Sequence, residues 1–450
     1  MSRDNRNDGF TGSFGMIAAT IGSAVGLGNL WRFPYLVGQN GGAAFIIIYL
    51  LFSIFLSTPI MVAEFVVGRR GKGAPPKAFY NLSGSRKWGA VGVTAMITSL
   101  LIISFYGVVG GWTVKYMVNS ILLQYRQGAV IDSAATFGQF VTGSASPIVY
   151  FLIFIFITAV IIRSGVAKGI EAASKFMMPV LFVLVVLVAV RSITLPGAVE
   201  GVRYLFKPDF SNVNQQTILT ALGQSFFSLS LGAGAQMTYG FYTPRSNNLV
   251  RSSFIASASD TVFAIIAGCA IMPAVFAFGI NPSEGPGLAF VTLPQVFTQM
   301  PMGGFFAILF FASLFLAALS SAVSMFEVVV SSMIDIWKMP RRRAVIITGC
   351  VVLVLGCLCS LSQGVLADFK IMGKNIFDLF DFLSANVLML LTSLLLVIFI
   401  GWKLKKDAFL DEITSGGLVK LPRWVGLSLF FIIKYVAPFV IFAIVLSVAI

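Results

Sequence analysis

Gly22-Ser23-Ala24-Val25-Gly26-Leu27-Gly28-Asn29-Leu30-Trp31-Arg32-Phe33-Pro34-Tyr35 is the stretch that decides how this chain is read. It lies inside an apolar run from about Phe14 to Val37, long enough to cross a bilayer. Glycines, an asparagine and an arginine interrupt it at the depth where a spanning helix satisfies its own backbone. Peptide groups freed there are tolerated only where they line a cavity enclosed by protein. A second hydrophobic run, near Thr217 to Tyr239, is broken in the same manner at Ser228-Leu229-Ser230-Leu231-Gly232-Ala233-Gly234. Taken singly, Gly22 and Gly26 form a small-xxx-small pair, which reads as close helix packing. Two interrupted spans in matching places of two halves, each carrying polar groups, point instead to a solute site near the bilayer midplane.

Composition sets the class. The 450 residues are 58% hydrophobic and only 11% charged, and the mean hydropathy is +0.93, far more apolar surface than a soluble domain of this size needs. The net charge of +14 comes from basic residues dispersed among short loops, so positive-inside bias explains it better than a nucleic-acid partner. The complete absence of histidine excludes imidazole proton relays and His-ligated metals. Cys269, Cys350, Cys357 and Cys359 sit in apolar runs with no disulfide framework. Met1 to Gly12 is short and polar, without the apolar core and cleavage site of a secretory signal, so the first helix is expected to persist in the mature chain.

Hydropathy predicts eleven spans, near 12–37, 42–68, 88–123, 147–163, 168–190, 216–242, 251–279, 303–336, 343–361, 374–402 and 426–450. With the N-terminus in the cytoplasm, 22 of the 31 basic residues fall in inner segments and six in outer loops, which fixes the orientation and leaves the C-terminus outside. Trp88, Trp337, Trp402 and Trp424 fall at the same inner interface. The first ten spans divide into two fives, 12–190 and 216–402, each opening with a broken helix, and 426–450 is an appended eleventh. The outer segment from Asn281 to Pro294 is rich in turn residues and reads either as a lid folded into the vestibule or as a plain ordered loop.

Gly26-Leu-Gly-Asn-Leu-Trp-Arg-Phe-Pro-Tyr35 resembles the first-helix signature of the neurotransmitter:sodium symporter family, and of its bacterial amino-acid members in particular. Further resemblance lies in Gln224 to Gly234, Gly285 to Pro294, Ala317-Ala-Leu-Ser-Ser321 and Phe377-Asp-Leu-Phe-Asp381. The resemblance implies an all-α membrane protein with a LeuT-type 5+5 inverted repeat, discontinuous helices 1 and 6, and eleven transmembrane helices. It places the protein in a bacterial cytoplasmic (inner) membrane, among lipid, and allows a homodimer.

An amino acid is a zwitterion, so its pocket must meet both charges: free amides suit a carboxylate, unwound carbonyls an ammonium or Na⁺. By resemblance the carboxylate would rest on the amides of Leu27 and Gly28 and the Tyr106 hydroxyl. The ammonium would take carbonyls of Ala24, Phe227 and Ser228, helped by Ser230. Ile102, Phe227, Ala233, Ser321 and Met325 would line the side-chain pocket, which contains no charge and so disfavours charged substrates. Family members that carry monoamines place an Asp where Gly26 stands; glycine leaves room for the substrate's own carboxylate. Ala233 replaces a larger side chain, which suits a bulky or aromatic substrate.

Two sodium sites follow by resemblance. The first would use Ala24, Asn29, Ser228, Asp260 and the substrate carboxylate; the second Gly22, Val25 and Ala317 carbonyls with the hydroxyls of Ser320 and Ser321. Oxygen-only ligands fit a hard cation, although Ser-Ser pairs in membrane helices also simply back-bond to their own helix. Asp260 is an acid in mid-membrane, a functional hypothesis by default. Tyr49, Gln224 and Ser228 match the ligands of the chloride-dependent members, but Asp260 and Ala264 depart from them, so the carboxylate is expected to supply the anion's charge and no chloride is needed. A structural hydrogen-bonding Asp is the alternative.

Arg32 and Asp381 resemble the outer gate, with Asp378 one turn away and Tyr106 and Phe227 closing the lid. Asp335 and Tyr242 resemble the inner gate; the family's N-terminal Arg position reads Asn7, Phe10 stands where Trp is usual, and Arg6 is the nearest substitute. Glu64 is read as capping loose backbone of the broken helices, and Glu327 as an acid lining the inner pathway without an obvious partner. Gly169 and Pro179 bracket a stretch of the fifth span that either unwinds or forms a static kink. The expectation is therefore a sodium-coupled symporter importing neutral, hydrophobic or aromatic L-amino acids by alternating access. An uncoupled sensor or channel-like protein of the same fold is the alternative, and no enzyme chemistry is visible.

Overall fold

The computed structural model describes residues 9–211, 213–279 and 285–449, which form helices joined by loops, with no strand among them. Ser13–Ala24 (α1) and Gly28–Gln39 (α2) form one span bent by 42°. Ala43–Gly71 (α3), Arg86–Ile121 (α4), Ser146–Arg163 (α5) and Val166–Ile193 (α6) complete the first half. Gln215–Ser228 (α7) and Ala235–Phe241 (α8) follow, separated by Leu229 to Gly234. Leu249–Ala277 (α9), Gly303–Trp337 (α10), Arg341–Leu361 (α11), Ile376–Leu404 (α12) and Arg423–Val445 (α13) close the bundle.

Nine of these helices among the described residues are long and apolar enough to cross a membrane, and the bent α1–α2 pair makes a tenth. The expected span at 216–242 is the α7–α8 pair, whose halves are each too short to span alone. Hydropathy averages over a window, so it did not separate these halves. Nor did it find the short amphipathic helices Pro75–Ser83, Ser133–Thr142, Val199–Phe206, Thr292–Gln299 and Lys406–Ile413 that pack against the ends of the bundle.

α4 and α10, 36 and 35 residues long, are the scaffold against which the broken helices lean. The middle of α10 is buried without interruption from Ala317 to Met333, whereas α5, α6 and α13 expose large apolar side chains such as Phe156, Phe176 and Phe439. That outward apolar face belongs against lipid. Glycines set the close approaches: a Cβ at Gly92 would lie 2.3 Å from the Pro75 carbonyl, and one at Gly111 2.6 Å from the Phe151 amide nitrogen. The fifth span is wound throughout, with a π-helical turn at Val166–Glu171 and Pro179 inside the helix.

Candidate functional site

The break after α1 follows from local crowding. Ala24 is the last α-helical residue, and Val25 turns extended at ψ 103°. A Cβ on Gly26 would stand 2.3 Å from the Ser321 Oγ and 3.0 Å from the Tyr106 hydroxyl, so glycine lets the unwound chain pass α10 and α4 without displacing these side chains. The freed groups find partners. The Gly26 amide donates to Asn29 Oδ1 at 3.1 Å, and the Leu27 amide donates to the Tyr106 hydroxyl at 3.1 Å. An amide and a phenol thus converge where a carboxylate is expected.

The second break uses left-handed backbone. Ser230, Gly232 and Gly234 have φ of 54°, 79° and 83°, conformations that favour glycine. A Cβ on Gly232 would meet the Met389 carbonyl at 2.1 Å. The Gly232 amide donates to Glu64 Oε1 at 2.6 Å, so this buried acid caps loose backbone. The Ala233 carbonyl accepts from Ser99 Oγ at 2.5 Å, and Ser230 Oγ donates to the Ser23 carbonyl at 3.0 Å, joining one break to the other.

Between the breaks lies a cavity of about 30 Å³ walled by Ser23, Ala24, Gly26, Gly28, Ile102, Tyr106, Phe227, Ser228, Ser230, Ser321, Met325 and Met389. Of the residues expected to bind substrate, all but Leu27 and Ala233 stand on this wall. Leu27 turns its side chain into the core and offers its amide, and Ala233 is buried behind the wall. Met389 was missed, because nothing in the apolar run of α12 distinguishes it from a packing residue. Free space of this size holds roughly two waters, so a larger solute requires Met325, Met389 and Phe227 to move apart.

Asp260, fully buried on α9, organises the first ion locus. Its carboxylate accepts from Asn29 Nδ2 at 2.8 Å, from the Tyr49 hydroxyl at 2.7 Å and from Ser228 Oγ at 2.8 and 3.0 Å. Asn29 also donates to the Asp260 carbonyl at 3.1 Å. Gln224 turns its amide to the Gly28 carbonyl at 2.9 Å, and Ala264 is buried alongside. Charge-assisted bonds of this kind are what a buried carboxylate needs. At the second locus Ser320 Oγ lies 3.3 Å from the Val25 carbonyl and 3.0 Å from that of Ala317. Ser321 Oγ lies 3.5 Å from the Gly22 carbonyl and 3.4 Å from that of Ser23. Six oxygens from the end of α1, the unwound turn and α10 gather here, a donor set for a hard cation.

The outer end is closed by aromatic side chains. Arg32 lies 4.5 Å over the Phe227 ring, and no ion pair within 4.0 Å joins it to Asp381, although both charges flank the Tyr35 hydroxyl. Above them Phe290 is fully buried among Trp31, Trp112, Tyr116 and Phe137, with centroids 5.2 to 6.4 Å away. Most of the expected lid, from Gly285 to Pro294, is therefore folded in; its start at Asn281 lies outside the described residues.

At the inner end the structure does not bring Asp335 to Tyr242. Asp335 accepts from Lys77 Nζ at 3.0 Å and the Ala74 amide at 2.7 Å. The Tyr242 hydroxyl donates to Glu327 Oε1 at 2.6 Å, and Arg341 pairs with Glu327 Oε2 at 2.6 Å, so Glu327 has partners after all. Arg341 stands in the run Arg341 to Arg343, and nothing local marks it for this pairing. The N-terminal segment is docked as well: Phe10 packs edge-on against Tyr239 at 5.5 Å, and Thr11 donates twice to Glu171, at 2.8 and 2.5 Å. Arg6 and Asn7 lie outside the described residues. Glu171, itself 1% exposed, is further paired with Lys175 at 2.6 Å.

A family model described as the sodium:neurotransmitter symporter family matches residues 7–128 and 139–450. The chain is 37% identical over 436 residues to the sodium-dependent transporter YhdH of Bacillus subtilis, covering 96% of each protein. It is 34% identical over 443 residues to a sodium-dependent transporter of Haemophilus influenzae, again across 96% of each. It also resembles a crystal structure of MhsT in complex with L-phenylalanine, with a TM-score of 0.90 at 40% identity over 98% of this chain and 99% of that one. The family consists of transporters and not enzymes. Matched along nearly its whole length, the chain belongs to the sodium:neurotransmitter symporter family, and is a multi-pass, sodium-coupled membrane transporter.

Proposed function

We propose that this transporter imports neutral, hydrophobic or aromatic L-amino acids together with two Na⁺, without chloride, by alternating access. The observation that carries the reading is the convergence of the Leu27 amide, the Tyr106 hydroxyl and the Asp260 cluster on one cavity with no charged side chain on its wall. The amide and phenol suit a carboxylate, and carbonyls of Ala24, Phe227 and Ser228 suit the ammonium. Ile102, Met325, Met389 and Phe227 offer an apolar, deformable lining for the substrate side chain. The likeness to MhsT, solved with L-phenylalanine, supports an aromatic amino acid.

The Asp260 carboxylate stands beside the Tyr49 and Ser228 hydroxyls, and so supplies the negative charge that an anion would otherwise bring. Aromatic closure outside and the Glu327–Arg341–Tyr242 and Thr11–Glu171 contacts inside suit a state closed at both ends. The proposal includes eleven transmembrane helices in two inverted five-helix repeats, 12–190 and 216–402, with 426–450 appended. It also places the protein in the bacterial inner membrane with the N-terminus cytoplasmic and the C-terminus outside, where the belt of Trp337, Trp402 and Trp424, all exposed, marks the cytoplasmic interface. Two Na⁺ entering with a zwitterion move two charges, about 4.6 kcal/mol per 100 mV, or roughly three decades of accumulation. Proteoliposomes under an inward Na⁺ gradient test the reading: accumulation of labelled phenylalanine, unchanged when gluconate replaces chloride, is expected. Uptake that never exceeds the external concentration, or that proceeds equally in K⁺, refutes it.

A further inference from the structure

Away from the central cavity, the C-terminal end of α12 and the first half of α13 enclose a groove of about 480 Å³ lined by Gly401, Trp402, Lys405, Phe430, Lys434 and Tyr435, among others. Lys434 lies inside the apolar span of α13, about 16 Å along the helix from Arg423 at 1.5 Å per residue. Its ammonium stands 5.7, 5.9 and 5.4 Å from the ring centroids of Trp402, Phe430 and Tyr435. No carboxylate among the described residues lies within 4.0 Å of it. A cation at membrane depth is costly and normally has an anionic partner. A snorkelling lysine would carry its head free into water; this one is held over three aromatic faces.

The groove is built into the backbone. Phe399–Leu404 and Ile432–Val436 are both π-helical turns, and they pack against one another across it. A Cβ on Gly401 would lie 3.1 Å from Lys434 Cγ, so glycine at this position lets the lysine stem cross α12. π-bulges of this kind frequently mark functional sites. Lys405 and Lys406 open the groove to solvent, and Phe431 and Phe439 continue it as an exposed apolar stripe along α13. Basic pockets between spanning helices, close to an interfacial Trp, have the chemistry of a lipid headgroup site.

We propose that this groove binds the phosphate of an anionic phospholipid, with Lys434, Lys405 and Lys406 meeting the headgroup and the acyl chains lying along Phe431 and Phe439. Purified full-length protein in nanodiscs of phosphatidylcholine, with or without phosphatidylglycerol, provides the test, read as phosphatidylglycerol retained per protein by native mass spectrometry. Lys434→Gln is expected to lower retention about fivefold, as is each further cation removed. Lys405→Gln with Lys406→Gln, at the exposed end, gives the same reading should Lys434→Gln fail to fold. Lys115→Gln, whose ammonium lies 5.4 Å over Tyr150 on another helix pair, is expected to change nothing. Retention equal to wild type in both groove variants overturns the proposal. Displacement of the lipid by millimolar inorganic phosphate also overturns it, because the site would then be one for free phosphate.

Discussion

Replacing Asp260 by Asn removes one charge and almost no volume. Four hydrogen bonds from Asn29, Tyr49 and Ser228 now end on the carboxylate, at 2.7 to 3.0 Å. In the variant the new amide NH₂ meets at least one of these donors head-on, a penalty of about 1–3 kcal/mol for the unmatched group. The larger effect falls on the ion. Unit charges about 4 Å apart attract by about 4 kcal/mol at an effective dielectric of 20, so sodium affinity is expected to fall by up to roughly a thousandfold. Chloride is expected to restore part of it, because the Tyr49 and Ser228 hydroxyls then lack a charged acceptor. Scintillation-proximity binding of labelled phenylalanine, titrated with Na⁺ in chloride and in gluconate, reads both effects. If Asp260→Asn shifts the sodium midpoint by less than about threefold, and chloride makes no difference, the reasoning fails.

Tyr106→Phe deletes one donor to the substrate carboxylate and takes the acceptor from the Leu27 amide, so substrate affinity is expected to fall about 10- to 100-fold with a loss of about 1–3 kcal/mol in stability; an affinity shift below threefold refutes the cradle. Gly26→Ala drives a Cβ to 2.3 Å from Ser321 Oγ. The variant is expected to cost about 1–3 kcal/mol and to lose measurable substrate binding, and retention of wild-type binding would show that the break is slacker than described. Glu171→Gln weakens the two bonds from Thr11, each worth about 1.5–3 kcal/mol to a charged acceptor. Amide exchange at Gly12 to Phe14 is expected to quicken at least tenfold, and unchanged protection would count against a latch.

The two breaks were legible because they violate a rule: glycine and polar residues do not persist in lipid without reason, and Gly26 and Gly232 prove to be positions where any Cβ would strike α10 or α12. The residues named around the breaks and on α4 and α10 came from the resemblance of their motifs, not from the breaks themselves. Met389 could not be assigned, since an apolar side chain in an apolar helix carries no local mark. The ion pairs were hidden for a different reason. Thr11 and Glu171 are 160 positions apart, and Arg69 and Glu412, joined at 2.6 Å in full burial, are 343 apart; hydropathy reads charge but not distance in space. Asp335 and Tyr242, both placed at the inner gate by resemblance, take Lys77 and Glu327 as partners, which no motif signals.

The serine hydroxyls of α10 and Ser230 lie within hydrogen-bond reach of the peptide oxygens of residues 22, 23 and 25, with Ser320 nearer still to Ala317 of its own helix. An alkali ion seated there would compete with these hydroxyls for lone pairs on the same oxygens. To seat it, each hydroxyl has to swivel about its own C–O bond and offer a lone pair in place of hydrogen, while every peptide plane stays where it is. Truncating either Ser320 or Ser321 to alanine then harms the empty and the loaded forms alike, so apparent affinity understates what the hydroxyl contributes.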